Sequence, residues 1–223
     1  MYRCTAVLFL IMGACFPVRA HDVITTKITW SREISRLVYK RCASCHRDGG
    51  SSFSLLTYAD ARPWAKAIKE ETLERRMPPW GAVKGFGSFR DDQGLTQEDL
   101  ELISAWVEGG APEGDAALTP KTPDFKAAAP VIKSGPEVLV EGTLTLKAPL
   151  QLAGIRPKSL GAGKSVQVIA ERPDGSSDPL IWIYNYNPAF AHSFFLNRAL
   201  DLPAGTKIVC SPPGTGTIAL ISQ

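Results

Sequence analysis

Two cysteines and a histidine lie within five consecutive residues, Cys-Ala-Ser-Cys-His at 42–46. Thiols three positions apart share one helical turn, so they can join the two vinyl groups of a haem, and the imidazole that follows can bind the iron. A zinc site requires two more ligands, for which few candidates remain, and a redox dithiol requires a βαβ unit, which the flanking sequence lacks. We therefore expect one covalently bound haem c at Cys42, Cys45 and His46.

Met77 is the one methionine that remains after residues 1–20 are removed as a leader. A lone methionine usually fills a gap in an apolar core. Met77 instead follows a predicted helix and precedes two prolines, which would hold its thioether in place. Ligation by His46 and Met77 raises the reduction potential of a haem iron, as an electron carrier requires, and leaves no open position for O₂ or peroxide. The pattern predicts Met77 as the second axial ligand.

Residues 1–20 have the order of a secretory signal peptide, with a basic start, an apolar run and small or aliphatic residues before a cleavage site at Ala20. This predicts a periplasmic protein; the alternative is lipoprotein processing at Cys15. No later stretch reaches the roughly 20 apolar residues of a transmembrane helix, so we expect none in the mature chain. Loss of Arg3 and Arg19 lowers the formal charge from +3 to +1, which argues against a nucleic-acid partner.

Three predicted helices position the motif and Met77. The first runs from a cap at Ser31 into the attachment motif, and the second spans residues 60–76, where two prolines end it. The third follows Thr96, a cap with an acidic residue three positions on, and closes at two glycines. A glycine-rich loop, 81–94, separates the second helix from the third.

The pattern changes beyond residue 136. A segment rich in Ala, Pro, Lys and Thr precedes it and is typical of a linker. Short β-branched or aromatic runs then alternate with Gly, Pro, Asp and Asn, which predicts an all-β module, a small sandwich with Cys210 as a buried free thiol. The runs are 138–140, 143–146, 165–170, 180–186, 193–196, 206–210 and 217–221.

Three stretches of the first half carry related motifs: Cys-Ala-Ser-Cys-His at 42–46, Arg-Met-Pro-Pro-Trp at 76–80, and Ala-Trp-Val at 105–107 followed by Gly-Gly-Ala-Pro at 109–112. Together they resemble a class I-like cytochrome c domain over residues 28–114. The resemblance implies one haem c bound through Cys42 and Cys45, with His46 and Met77 as axial ligands. The His-to-Met interval is shorter than in common small cytochromes c, and the loop after it is longer.

The second half has motifs of another kind: Ile-Arg-Pro-Lys at 155–158, Arg-Pro-Asp-Gly at 172–175, Tyr-Asn-Tyr-Asn at 184–187 and Leu-Pro-Ala-Gly-Thr at 202–206. They resemble the C-terminal β domain of copper type II, ascorbate-dependent monooxygenases over residues 150–210. Bacterial proteins that join this module to a cytochrome c have a His-x-His pair where this chain has Lys158 and Leu160. With His192 as the module's one histidine, and no methionine, we expect no copper site and a structural role for His192.

The predicted fold is multidomain, with an all-α cytochrome c domain followed by a small all-β sandwich-like domain. The predicted boundaries are a signal peptide at 1–20, a haem domain at 21–114, a linker at 115–135 and the β module at 136–223. The expected function is single-electron transfer with a redox partner protein, an oxidase or a dehydrogenase, and the β module serves docking; this favours a carrier over an enzyme. The alternatives are a haem-dependent part of a periplasmic oxidoreductase or monooxygenase-like enzyme, or a haem-based sensor with an open iron position.

Overall fold

The computed structural model describes residues 26–125 and 135–223, so the predicted signal peptide, with Cys15 and the cleavage site at Ala20, and part of the predicted linker lie outside the described residues. Eight strands form two four-stranded antiparallel sheets, ordered β1-β8-β3-β6 and β2-β7-β4-β5. The strands are β1 (Glu137–Glu141), β2 (Thr143–Thr145), β3 (Leu150–Pro157), β4 (Val166–Glu171), β5 (Ser177–Ile183), β6 (Phe194–Leu202), β7 (Lys207–Ser211) and β8 (Thr217–Ser222).

The two sheets enclose one apolar core, because alternate side chains of each strand point to the same face. Val168, Ile181, Phe194, Ile208 and Leu220 come from five strands of the two sheets, and none is more than 2% exposed. Full burial of such a side chain stabilises a fold by about 1.5–3 kcal/mol. This core holds the β half of the chain together.

Four α-helices precede the strands, joined by short π and 3-10 turns: α1 (Ser35–Arg41), α2 (Tyr58–Ala61), α3 (Ala65–Leu73) and α4 (Gln97–Glu108). A π turn, Trp30–Ile34, leads into α1, and its cap is Thr29 rather than the predicted Ser31. The hydroxyl of Ser31 instead donates to the carbonyl of Glu113 at 2.8 Å. The predicted cap of α4 is confirmed, since Thr96 and Asp99 form a reciprocal capping box.

A small aromatic core packs the π turn that precedes α1 against α4. Trp30 and Trp106 are at most 1% exposed, and their ring centroids lie 6.2 Å apart. The indole N–H of Trp106 donates to the carbonyl of Pro112 at 3.0 Å, and the hydroxyl of Tyr58 donates to the carbonyl of Ala111, also at 3.0 Å. These bonds tie the chain beyond α4 back onto the helices and satisfy polar groups beside the buried rings.

The predicted fold class, an all-α cytochrome c domain followed by an all-β domain, is wrong. The helices are short, the two sheets dominate the architecture, and no all-α cytochrome domain is evident in residues 26–125. The physical reason lies in the glycine-rich loop, which we expected to belong with the helices. The N–H of Val83 donates to the carbonyl of Trp182 on β5 at 2.8 Å, and that of Arg90 to Phe195 on β6 at 2.8 Å. Phe89 from this loop is part of the β core.

Candidate functional site

The attachment motif forms the end of α1 and the turn that follows it. The backbone N–H of Cys42 donates to the carbonyl of Val38 at 2.8 Å, which closes the helix. The N–H groups of Cys45 and His46 both donate to the carbonyl of Cys42, at 3.1 and 2.9 Å. The three residues predicted to hold the haem therefore project from one closed backbone turn.

Arg41 ties this turn to the rest of the chain. Its guanidinium, whose side chain is only 9% exposed, donates to the carbonyl of Asp92 at 2.6 Å and lies 3.6 Å from the carboxylate of Asp99. The same Asp99 carboxylate accepts from the backbone N–H of Thr96 at 2.9 Å, where α4 begins. Buried charge-assisted contacts of this kind restrict movement, so the motif, the glycine-rich loop and α4 form one support.

The thiol of Cys42 is poorly suited to redox exchange. Both thiols of the motif are free; Cys42 is partly buried and Cys45 is exposed. Burial raises the pKa of the Cys42 thiol to about 12, against the smaller opposing effect of the Arg41 guanidinium. The motif also lies at the carboxyl end of α1, where the helix dipole disfavours a thiolate. Reactive dithiols need an environment that stabilises the thiolate, such as a helix N-terminus or a nearby positive charge. No group of three or more His, Cys, Asp or Glu side chains suited to a metal ion occurs in the part of the chain that the structure describes.

The imidazole of His46 is oriented by the backbone. Its Nδ1 lies 3.1 Å from the carbonyl oxygen of Phe53. Because a carbonyl can only accept, Nδ1 carries the proton and Nε2 carries the free lone pair. A metal-binding histidine has this arrangement, in which a second group fixes the tautomer and the ring orientation. Nε2 is therefore the ring nitrogen through which His46 would bind a metal.

The loop between His46 and Phe53 is folded tightly enough to require a glycine. The N–H of Ser52 donates to the carbonyl of Cys45 at 3.1 Å, and the N–H of Gly50 donates to that of Arg47 at 2.9 Å. A Cβ at position 50 would lie 2.3 Å from the Cys45 carbonyl oxygen, a distance that real Cβ atoms do not adopt. Gly50 therefore allows the loop to return the Phe53 carbonyl to the imidazole.

An exposed aromatic pair lies beside His46. The ring of Phe53 meets the imidazole edge to face at 4.9 Å, and its other neighbour is Trp64, with ring centroids 4.7 Å apart. Phe53 is 49% exposed and Trp64 is 47% exposed, unusual values for aromatic side chains in contact with each other. The pair offers a flat apolar surface next to an imidazole with a free lone pair, which suits the face of a macrocycle such as haem.

Met77 lies beyond the end of α3. The backbone N–H groups of Arg76 and Met77 both donate to the carbonyl of Glu71, at 2.9 and 3.0 Å, and so close that helix. The Met77 side chain is half-buried and borders two clefts. No residue of the motif 42–46 borders either of these clefts. The structure therefore places Cys42, Cys45 and His46 on one turn, and Met77 beside two clefts that this turn does not border.

The larger cleft that Met77 borders has a volume of about 440 Å³ and lies between the end of α3 and the β sheets. His192 borders it and stacks on Trp80, with ring centroids 5.1 Å apart and an interplanar angle of 29°. Nδ1 of His192 donates to the carbonyl of Phe190 at 2.8 Å, whereas its Nε2 is buried without a partner among the described residues. Burial lowers the pKa of His192, and the Phe190 carbonyl opposes this effect. The predicted structural role of His192 accounts for only one of its two ring nitrogens.

Sequence reasoning did not identify Tyr186 and Arg75 as candidate residues, although both border this cleft. The Tyr-Asn-Tyr-Asn stretch at 184–187 was a usable signal, since two aromatic rings alternating with two amides directly after a strand is a combination suited to binding. Arg75 offered no signal, because its place beside the β sheets depends on contacts distant in sequence. The cleft is therefore a feature of the folded chain.

Lys158 and Leu160, which stand where the related β domains have a His-x-His pair, both make contacts that support the fold. Lys158 pairs with the carboxylate of Glu137 at 3.0 Å, and Leu160 is 6% exposed in the β core. The prediction for Cys210 is confirmed: it is a buried free thiol on β7, and burial raises its pKa to about 11. Cys210 therefore belongs to the β core rather than to the candidate site.

The helices in residues 26–125 and 135–223 are all too short or too polar to cross a bilayer. No protein-family model matches the chain, and no curated protein matches it. The contacts around His46 and the cleft beside Trp80 are the structural features that bear on function.

Proposed function

We propose that the chain is an exported mono-haem c-type cytochrome that transfers single electrons. Cys42 and Cys45 would hold the haem through thioether bonds, and His46 would bind the iron through Nε2. The observation that supports this most directly is the 3.1 Å contact from Nδ1 of His46 to the carbonyl of Phe53, on the same turn that bears the two thiols. The proposal includes cleavage after Ala20 and a periplasmic location.

The residues present fit this group. The two thiols are free and three positions apart, the imidazole presents an unprotonated nitrogen, and the Phe53–Trp64 pair supplies an apolar surface beside it. When bound, a haem iron with two protein ligands accepts and releases one electron at a time. Arg41 holds the turn through Asp92 and Asp99, which limits the rearrangement that accompanies electron transfer.

Met77 as the second axial ligand is a separate part of the proposal. It is supported by its position directly after α3, by the prolines that follow, and by the lack of another methionine beyond the predicted leader. The thioether of Met77 would raise the reduction potential of the haem iron. The redox partner is proposed to be an oxidase or a dehydrogenase, reached through the β half of the chain.

The test is to express the full chain together with haem-maturation machinery and to measure the optical spectrum in both oxidation states. One covalently attached haem per chain and a sharp low-spin reduced spectrum are expected. The Cys42→Ser and Cys45→Ser double variant should carry no covalent haem, whereas Cys210→Ser, the matched control, should carry a full complement. A full complement of covalent haem in the double variant, or none in the unaltered chain, would exclude the proposed attachment. A high-spin spectrum that shifts with carbon monoxide would exclude the simple carrier and favour sensing or catalysis.

A further inference from the structure

Arg41 places a positive charge directly before the attachment motif. The residue ends α1, and its side chain is only 9% exposed, although arginine side chains are seldom buried. The next residue is Cys42, the first of the two proposed attachment residues. A charge buried in protein is screened less than one at the surface, so it acts on any group that Cys42 holds.

The charge of Arg41 is only partly compensated. Its guanidinium donates to the backbone carbonyl of Asp92 at 2.6 Å, whereas the carboxylate of Asp92 pairs with Lys84 at 2.7 Å. Asp99 is the one carboxylate that pairs with Arg41 in residues 26–125 and 135–223, and their 3.6 Å separation exceeds an ordinary hydrogen bond. The Nε of Arg41 is buried without a partner among the same residues.

The Asp99 carboxylate is shared between two groups. It accepts from the backbone N–H of Thr96 at 2.9 Å, in the capping box that begins α4, and it also faces Arg41. Its side chain is 22% exposed, so the negative member of the pair is closer to water than the positive one. Water therefore screens the carboxylate more than it screens the guanidinium.

Both charges act on position 42. Burial has the largest effect on the Cys42 thiol and raises its pKa; of the charged groups, the Arg41 guanidinium lowers this pKa and the Asp99 carboxylate raises it. The signs differ because a positive charge stabilises a neighbouring anion and a negative charge destabilises it. Position 42 thus lies within the electrostatic reach of both side chains.

The same two charges bear on electron transfer at this position. Reduction of a haem iron from the ferric to the ferrous state takes one electron from the redox partner protein and lowers the positive charge of the centre by one unit. A nearby guanidinium favours the state with less positive charge, which is the reduced one. A nearby carboxylate favours the oxidised state.

We propose that Arg41 raises the reduction potential of the haem attached at Cys42 and that Asp99 lowers it. The inference rests on the proposed haem attachment and adds to it the residues that set the potential. Neither residue needs to contact the haem, since a charge acts at a distance.

The experiment is a spectroscopic redox titration of the full chain, expressed with haem-maturation machinery, after its covalent haem content has been measured. Arg41→Gln should lower the equilibrium constant for one-electron reduction about threefold to tenfold, where tenfold corresponds to about 59 mV. Asp99→Asn, which keeps an oxygen to cap α4, should raise the constant by a similar factor. Arg41→Lys keeps the charge and should remain close to wild type.

Opposite shifts in Arg41→Gln and Asp99→Asn separate a charge effect from loosened packing, because water admitted to the haem would lower the potential in both variants. Arg198→Gln, at an exposed position on β6, is the control and should leave the potential unchanged. Shifts of the same sign, or potentials equal to that of wild type, would overturn the inference.

The haem content distinguishes failure of this inference from failure of the proposed function. A wild-type chain without covalent haem would refute both, whereas attached haem whose potential is insensitive to both substitutions would refute the inference alone. If Arg41→Gln attaches no haem, Asp99→Asn decides: a higher potential supports the inference, and an unchanged or lower one overturns it.

Discussion

The carbonyl oxygen of Phe53 lies 3.1 Å from Nδ1 of His46, so a residue seven positions further along the chain orients the imidazole. The bond is local in sequence, yet it requires the intervening loop to reverse direction within a few residues. Gly50 makes this possible through its close approach to the Cys45 carbonyl. The site is thus a property of the loop as much as of the three motif side chains.

Gly50→Ala should destabilise the protein by about 1–3 kcal/mol, because the new methyl group would overlap the Cys45 carbonyl and force the loop outward. The midpoint of urea unfolding measures this loss. Gly161→Ala is the matched control: its nearest neighbour would be the flexible Lys164 side chain at 3.4 Å, so little change is expected. Equal midpoints for the two variants would mean that the loop does not pack as described.

Met77→Leu should remove the ferric sulfur-to-iron charge-transfer band and allow carbon monoxide to bind, because leucine preserves the volume of the side chain and lacks its sulfur. Absorption spectra of the loaded protein measure both changes. Leu139→Ala, at an exposed position on β1, is the control and should leave the spectrum unaltered. A band that persists in Met77→Leu would show that another group binds the iron.

Phe89→Ala should destabilise the protein by about 3–5 kcal/mol, although Phe89 lies in a loop without a named strand or helix. Its side chain is 5% exposed and packs on Phe194, with ring centroids 5.7 Å apart. Urea unfolding followed by circular dichroism gives the loss. Phe86→Ala is the comparison. The half-buried ring of Phe86 lies beside Trp182, with ring centroids 6.1 Å apart, and its removal should lower the free energy of unfolding by about 1 kcal/mol.

The same experiment tests whether the helices and sheets unfold together. Because the loop bonds to β5 and β6 and also supports Arg41 through Asp92, we expect tryptophan fluorescence and circular dichroism to report one transition in wild type. Two separated transitions would contradict coupling of the helices to the sheets through the loop and would favour independent units.

Protonation of His192 should lower the free energy of unfolding in acid. Burial lowers its folded-state pKa below the ordinary value of about 6.5, so between that value and the lower folded-state pKa the unfolded chain binds the proton and the folded chain does not. The slope is at most about 1.4 kcal/mol per pH unit, and this contribution is constant above pH 7. The rings on either side of His192, Trp80 and Phe194, are uncharged, so burial decides the sign.

Urea unfolding at pH 7.5 and pH 5.5, in wild type and in His192→Gln, measures this contribution. The difference in unfolding free energy between the two proteins should shrink as the pH falls, since the variant lacks the titrating group. The comparison cancels the other histidines, which titrate in both proteins. A difference that stays constant or grows toward pH 5.5 would contradict the effect of burial.

Local sequence patterns were sufficient to predict several of the helices and strands. The Thr96–Asp99 capping box defines the start of α4 from four residues alone, and short β-branched or aromatic runs bounded by Gly, Pro, Asp and Asn locate most strands. β3 was missed for a local reason. Its one β-branched residue is Ile155, Gly154 lies at a bulge in the middle of the strand, and Pro157 at its end is atypical of a strand.

Features that depend on distant contacts were not predictable in this way. The glycine-rich loop has the composition of a surface segment, but Ala82 and Phe89 bury against the sheets, and this made the predicted two-domain fold class wrong. The cleft joins Arg75 to Tyr186, more than a hundred positions later in the chain. The attachment motif was readable because its chemistry needs only five adjacent residues.

The hydrogen bonds from the glycine-rich loop to β5 and β6 occupy an outermost strand of each sheet, where unpaired backbone groups would otherwise attract strands of other molecules. The two remaining outer strands are protected differently. β2 has three residues, too short to template a partner, and β1 carries Glu137 and Glu141 at its two ends. The protein should therefore resist edge-to-edge aggregation, and shortening the loop should expose β5 and β6 to fibril growth before it unfolds the core.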